Sequence, residues 1–226
     1  MTVENGAERI AELEADNERL RRLLDQRDAP GELRHRLRST LALLRTIIRE
    51  SVQTERDLAG YSAHLEDRLD AIVRAQASAD MHGEIDLSKL LADEFFHYGV
   101  SEGERLALKG PEIRLQPRAS QIFALAFHEL AVNAVEHGAT GVSSGRVEIA
   151  WRVDPGQQEP MLSLSWTEFG SPQTVRSDHR GFGTEVLTRL LAYELKADTT
   201  LAVEPDGVRC SIRLPLPGRV GRIAKA

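Results

Sequence analysis

Glu129 and Asn133 stand one helical turn apart in the stretch Phe127-His128-Glu129-Leu130-Ala131-Val132-Asn133-Ala134, which is otherwise largely apolar. At that spacing both side chains leave the same face of a helix. A carboxylate and an amide oxygen so placed can share a hard magnesium ion with the phosphates of ATP, because that ion takes oxygen ligands and keeps several waters. Glu129 can also accept or orient a proton leaving an attacking ring nitrogen. An asparagine in so apolar a helix calls for a reason. The competing reading is a helix whose buried face happens to carry an Asn.

Two further stretches carry compatible chemistry. In Trp166-Thr167-Glu168-Phe169-Gly170-Ser171-Pro172, Trp166 and Glu168 share one face of a strand by the two-residue period. Glu168, near the strand end, can accept a hydrogen bond from an adenine amino group, while Trp166 fits equally well as a core aromatic. Gly181-Phe182-Gly183-Thr184 opens a helix that runs through Val186, Leu187, Leu190 and Leu191. Glycines let the backbone approach a phosphate, and the first amides of a helix favour anions. The interval 173–180 would then be a short lid, with Asp178, His179 and Arg180 as solvated loop residues.

The remaining candidate is His35, in Glu32-Leu33-Arg34-His35-Arg36-Leu37-Arg38-Ser39-Thr40-Leu41. At about 100° per residue, an apolar stripe on Leu33, Leu37, Thr40 and Leu44 puts His35 about 200° from Leu33, on the solvent side. An exposed ring nitrogen is open both to a phosphoryl donor and to a partner protein. Arg34, Arg36 and Arg38 offset charge on an incoming phosphoryl group. An ordinary exposed histidine among solvated charges has the same spacing.

The elements that must position these residues follow from the patterning. Val3, Ile10, Asn17 and Leu24, with Gly6, Leu13 and Leu20, repeat every seven residues, which predicts a two-stranded coiled coil over 1–28 with Asn17 fixing a parallel register. The alternative is an amphipathic helix lying on the protein's own core. Asp28-Ala29-Pro30-Gly31 ends it. Amphipathic helices over 32–57 and 61–79, the second striped by Leu58, Tyr61, Leu65, Leu69, Ile72 and Val73, predict a helical hairpin over 32–80. Pairing with a second copy into a four-helix bundle would hide both of its faces.

From about residue 84 to 216 the pattern predicts an α+β sandwich. Helices are expected at 86–98, 118–137 and 182–196. Strands are expected at 105–108, 112–115, 146–153, 161–168, 199–204 and 207–214, with Asp206-Gly207 as a hairpin turn. Residues 217–226 read as a basic tail.

The 226 residues carry a net charge of −6 with 29 Lys and Arg, so nothing marks the chain as nucleic-acid binding. Cys210, the single cysteine, excludes an internal disulfide and reads as a strand residue in a reducing compartment. No apolar run approaches the roughly 20 residues needed to span a bilayer and no segment resembles a signal peptide, so a cytoplasmic location is expected.

Taken together, these motifs resemble the HWE histidine kinases over about residues 32–215. Arg34 to Leu41 is similar to that family's phosphoacceptor box, His128 to Ala134 to its N box, Trp166 to Pro172 to its Trp-x-Glu-x-Gly-Gly-Pro signature, and Gly181 to Thr184 to its G box, with Leu190 to Leu195 also similar. The resemblance implies that His35 is the phosphorylated residue. It further implies a Bergerat-type domain that binds ATP through His128, Asn133, Glu168, Gly170, Gly181, Phe182, Gly183 and Thr184, with magnesium on Glu129 and Asn133. Ser39 stands where the family usually has asparagine, Ser171 replaces a glycine, and Glu136 replaces a lysine that commonly helps neutralise triphosphate.

The implied protein is a homodimeric sensor kinase core that phosphorylates His35 from Mg-ATP and passes the phosphoryl group to an aspartate of a response regulator. A histidine phosphotransferase with a weak or inactive ATP site, a non-enzymatic dimeric adaptor for a regulator, and a serine kinase on the same ATP fold are the alternatives. Sequence does not name the stimulus, the regulator, or whether transfer to His35 runs within one subunit or across a dimer.

Overall fold

The computed structural model describes residues 31, 40–41, 43–48, 58–142, 144–156, 159–170, 182–204 and 207–224. The chain forms two compact units, 1–48 and 49–226. In the first, residues 43–48 are helical, with Leu43 and Ile47 buried and Ile48 exposed. The expected coiled coil and His35 lie outside the described residues.

The second unit begins its described part with α1 (Leu58–His82), followed by β1 (Ile85–Asp86), α2 (Leu87–His97), β2 (Leu106–Lys109), β3 (Ile113–Leu115) and α3 (Pro117–Glu136). Then come β4 (Arg146–Asp154), β5 (Met161–Phe169), α4 (Phe182–Glu185), a π-helical turn (Val186–Leu190), α5 (Leu191–Leu195), β6 (Asp198–Glu204), β7 (Gly207–Pro215) and β8 (Gly221–Ile223). A five-stranded sheet runs β2-β4-β5-β7-β6, antiparallel except where β2 lies parallel to β4. The six predicted strands and three predicted helices of the sandwich are all present, with ends within two residues of expectation.

The strand pattern explains why one face is covered. Val147, Ile149 and Trp151 of β4, Leu162, Leu164 and Trp166 of β5, and Cys210, Ile212 and Leu214 of β7 are buried at alternate positions, while their neighbours face outward. Phe95 of α2 stacks on Trp166 with ring centroids 5.3 Å apart, which seats that helix on the inner face. Cys210 is a strand residue as expected, and burial pushes its thiol pKa up to about 12. The inner position of α3, between α1, α2 and the helical segment 182–195, leaves it buried on nearly every side along its first four turns.

Two features depart from the sequence reading. The first is the buried row of α1, which consists of Arg68, Ala71, Ile72, Ala75 and Ala79. Of the expected stripe, Ile72 is buried, Leu65 and Leu69 are half-buried, and Val73 is 62% exposed. Small alanines let α1 approach α3 closely, so the row carrying them wins the interface. The second is the segment 217–226, read as a basic tail, which carries β8. β8 pairs with β3, and β3 with β1, in a separate three-stranded antiparallel sheet. Among the described residues no helix is long and apolar enough to cross a membrane.

Candidate functional site

The site grows from α3. Pro117 occupies its first turn, where a missing N–H costs nothing, and the helix then runs without a break to Glu136. Near its C-terminal end, Glu129 is buried and Asn133 is exposed on the same face. The chain returns to this face at Gly183. A β-carbon there would lie 3.1 Å from Glu129 Oε2 and 3.4 Å from Asn133 Nδ2. The predicted glycine motif therefore meets the predicted Glu/Asn pair, and bare backbone at Gly183 is what lets it sit so near. Thr184 follows, half-buried, and its carbonyl accepts a hydrogen bond from Thr188 Oγ1 at 2.7 Å. The π-turn directly after the motif is the kind of helix irregularity that often accompanies functional sites. Gly181 lies outside the described residues.

Glu129 is held by a residue that sequence reading missed. Arg68 of α1 donates from Nε to Glu129 Oε1 at 2.6 Å and from Nη2 to Oε2 at 3.2 Å, and both side chains are buried. The same guanidinium lies 3.6 Å from the centroid of the Phe182 ring, itself buried. A two-point arginine–carboxylate pair combines charge with a fixed geometry. One side chain thus ties α1 to both the N-terminal half of the site and the residue beside its glycine. The signal was present in the sequence as an arginine on one row with Ile72, Ala75 and Ala79.

A second corner lies at the end of β5. Trp166 and Glu168 do share a face, as their spacing predicts, and Trp166 Nε1 donates to Glu168 Oε1 at 3.2 Å. Oε2 accepts the backbone N–H of Ala139 at 2.9 Å. Glu168 is 2% exposed, so its charge rests on these fixed donors; an ionised carboxylate has room for about four. Two glycines shape its surroundings. A β-carbon at Gly138 would collide with Glu168 Oε2, and one at Gly207, where φ is +149°, would collide with the Glu168 carbonyl oxygen. Gly170 follows β5 with φ +77°, a left-handed conformation that glycine adopts freely.

His128 takes a different direction from its neighbour Glu129. Its ring is 1% exposed, and Nδ1 lies 2.8 Å from Glu94 Oε1 and 3.2 Å from the Tyr98 hydroxyl, both in or just after α2. Arg74 of α1 donates to the other Glu94 oxygen at 2.9 Å. Burial raises the Glu94 pKa, but the His128 hydrogen bond and the charges of His128 and Arg74 outweigh it, leaving the carboxyl below its ordinary value. Burial pushes the Tyr98 phenol upward. His128 thus anchors α3 to α2, whereas Glu129 and Asn133 meet Gly183. Glu136 is exposed at the helix end, 3.6 Å from His137 Nε2.

With Arg68 on both Glu129 oxygens, Glu129 and Asn133 could hold a magnesium ion together only once that pair opens. Glu129 and the Asn133 side-chain amide lie beside a glycine whose missing side chain leaves room for close approach. Among the described residues no three His, Cys, Asp or Glu side chains converge on one point.

Residues 32–112 match the family described as HWE histidine kinase. The chain is 31% identical over 212 residues to a blue-light-activated histidine kinase of Rhizobium johnstonii, an alignment covering 93% of this chain and 57% of the relative. It is 32% identical over 202 residues to blue-light-activated histidine kinase 1 of Erythrobacter litoralis, covering 84% of this chain and 54% of that one. In fold it is similar to the blue-light activated histidine kinase EL346 of Erythrobacter litoralis, with a TM-score of 0.55 and 17% identity over 82% of this chain and 58% of the other. The chain spans just over half the length of these curated relatives.

Proposed function

Because the chain belongs to the HWE histidine kinases, we propose that it is a sensor kinase core which transfers a phosphoryl group from ATP to its own His35. The observation that carries this reading is the meeting of Gly183 with Glu129 and Asn133, backed by the buried Glu168 corner. Those contacts support a nucleotide site with its phosphates toward Gly183 and its adenine toward Glu168.

Each residue then has a defined task. Glu168 accepts a hydrogen bond from the adenine amino group. Gly170, Gly181, Phe182, Gly183 and Thr184 bring bare backbone and helix-end amides to the phosphates. Asn133 and Glu129 offer oxygen ligands to magnesium, which supplies charge neutralisation at the phosphates when bound. His128 contributes from behind, through Glu94 and Tyr98, by fixing the roll of α3. A ring nitrogen of His35 attacks the γ-phosphorus as the bond to ADP breaks, and Glu129 takes the ring proton. Such transfer depends mainly on positioning and charge stabilisation. The phosphoryl group next passes to an aspartate of a response regulator, and the functional unit is a homodimer in the cytoplasm, paired through residues 1–80.

The test is labelling of the purified chain with radiolabelled ATP and magnesium. The expected product is an acid-labile, alkali-stable phosphate that disappears in His35→Ala. A second reading, a phosphotransferase with a silent ATP site, draws on Arg68, which occupies both oxygens of Glu129. It predicts labelling of His35 by a phosphorylated regulator and none by ATP.

A further inference from the structure

The contact between α1 and the nucleotide face has more in it than packing. In this arrangement Arg68 takes both oxygens of Glu129 and lies against the Phe182 ring. A second arginine of the same helix, Arg74, grips Glu94, whose other oxygen holds His128. The two grips therefore end on adjacent residues of α3, one on the carboxylate assigned to proton and metal chemistry and one on the histidine that fixes the helix.

We infer that Arg68 is a latch through which α1 controls the nucleotide site. The inference rests on the kinase reading of Glu129. While Arg68 is seated, neither oxygen of Glu129 is available to magnesium or to a ring proton, and Phe182 is held beside Gly183. Withdrawal of the guanidinium releases the carboxylate and the start of α4 together. Desolvation offsets much of the attraction within a buried ion pair, so its docked and separated states can lie close in free energy, as a two-state element requires.

The assignment makes Arg68 a positioning residue, with effects that a purely structural residue would not produce. In the full chain, Arg68→Lys keeps the charge but loses the two-point fork, and Arg74→Gln removes the half-exposed second grip and so weakens the docking of α1 that seats Arg68. Both variants are expected to bind Mg-ATP about 5-fold or more tightly than the parent, the lower end of typical coupling between sites. Both should label His35 faster by a similar factor, and amides of α1 should exchange hydrogen faster. Wild-type Mg-ATP binding should likewise accelerate exchange in α1. Unchanged or weaker Mg-ATP binding in both variants, with circular dichroism and melting like the parent's, overturns the latch. If the variants bind Mg-ATP more tightly but His35 is never labelled, the latch stands and the kinase reading falls. Labelling of both at the parent's rate with unchanged affinity leaves the kinase reading and removes the latch.

Discussion

Glu129 and Glu168 are both buried carboxylates assigned to one nucleotide site, yet they are secured in opposite ways. Glu168 takes its bonds from a neighbour two residues away on its own strand and from the backbone N–H of Ala139. Glu129 is held by a charged side chain 61 residues distant in sequence, on a helix laid against the sandwich. The two bonds named at the first corner form once β5 and the turn after α3 are in place. The second depends on where α1 lies. The difference teaches that the proposed adenine corner is built within the sheet and its neighbouring turn, while the proposed phosphate corner also depends on the seating of α1.

Four measurements press on that contrast. Glu129→Ala removes the two-point acceptor of the buried Arg68 guanidinium, and a loss of about 3–5 kcal/mol is expected in urea unfolding. Glu168→Ala leaves the indole N–H and the Ala139 N–H without this acceptor, at about 1–3 kcal/mol for each donor left unpaired. The same variant should weaken ATP binding, because the proposed adenine acceptor is lost.

The third measurement uses pH. The Glu94 pKa lies below its ordinary 4.5 in the folded chain, so the folded state binds fewer protons there than the unfolded one. Its contribution is fully present above that ordinary value and is lost as pH falls below it toward the lowered folded pKa. Glu94→Gln should cost about 1–2 kcal/mol at neutral pH and flatten this acid limb, as read by thermal melts across the range. The smallest stability effect belongs to exposed Asn133. Asn133→Ala should change unfolding by no more than about 0.5 kcal/mol while abolishing Mg-ATP binding in calorimetry.

Much of the sandwich was legible because its signals are periodic. Alternation in β4, β5 and β7 and the long apolar run of α3 survive in sequence, and the Trp166/Glu168 face followed from the period alone. β1 escaped because two residues carry no alternation to be seen, and β8 because Gly221-Arg222-Ile223 sits in a glycine- and arginine-rich stretch that reads as a basic tail. The α1 row was misread for a physical reason. Leucines and valine seemed to mark its buried face, but a close helix–helix approach favoured Ala71, Ala75 and Ala79, and an arginine came with them. The Arg68–Glu129 pair joins residues from two helices far apart in the chain, and no local pattern encodes such a meeting. The joining of Gly183 to Glu129 and Asn133 was anticipated by motif resemblance, not by any property of the intervening residues.

The small sheet has a practical consequence for anyone trimming this chain. β8 lies on the outer edge of β3, the Arg222 guanidinium reaches Glu84 at 2.7 Å, and the Ala224 amide reaches the Glu112 carbonyl at 3.0 Å. The last turn of the polypeptide is thus stitched to the exit of α1, like a hem closing a seam. Deleting residues from 217 onward would strip hydrogen bonds from β3, uncover a raw strand edge prone to self-association, and loosen the joint at which α1 enters the domain.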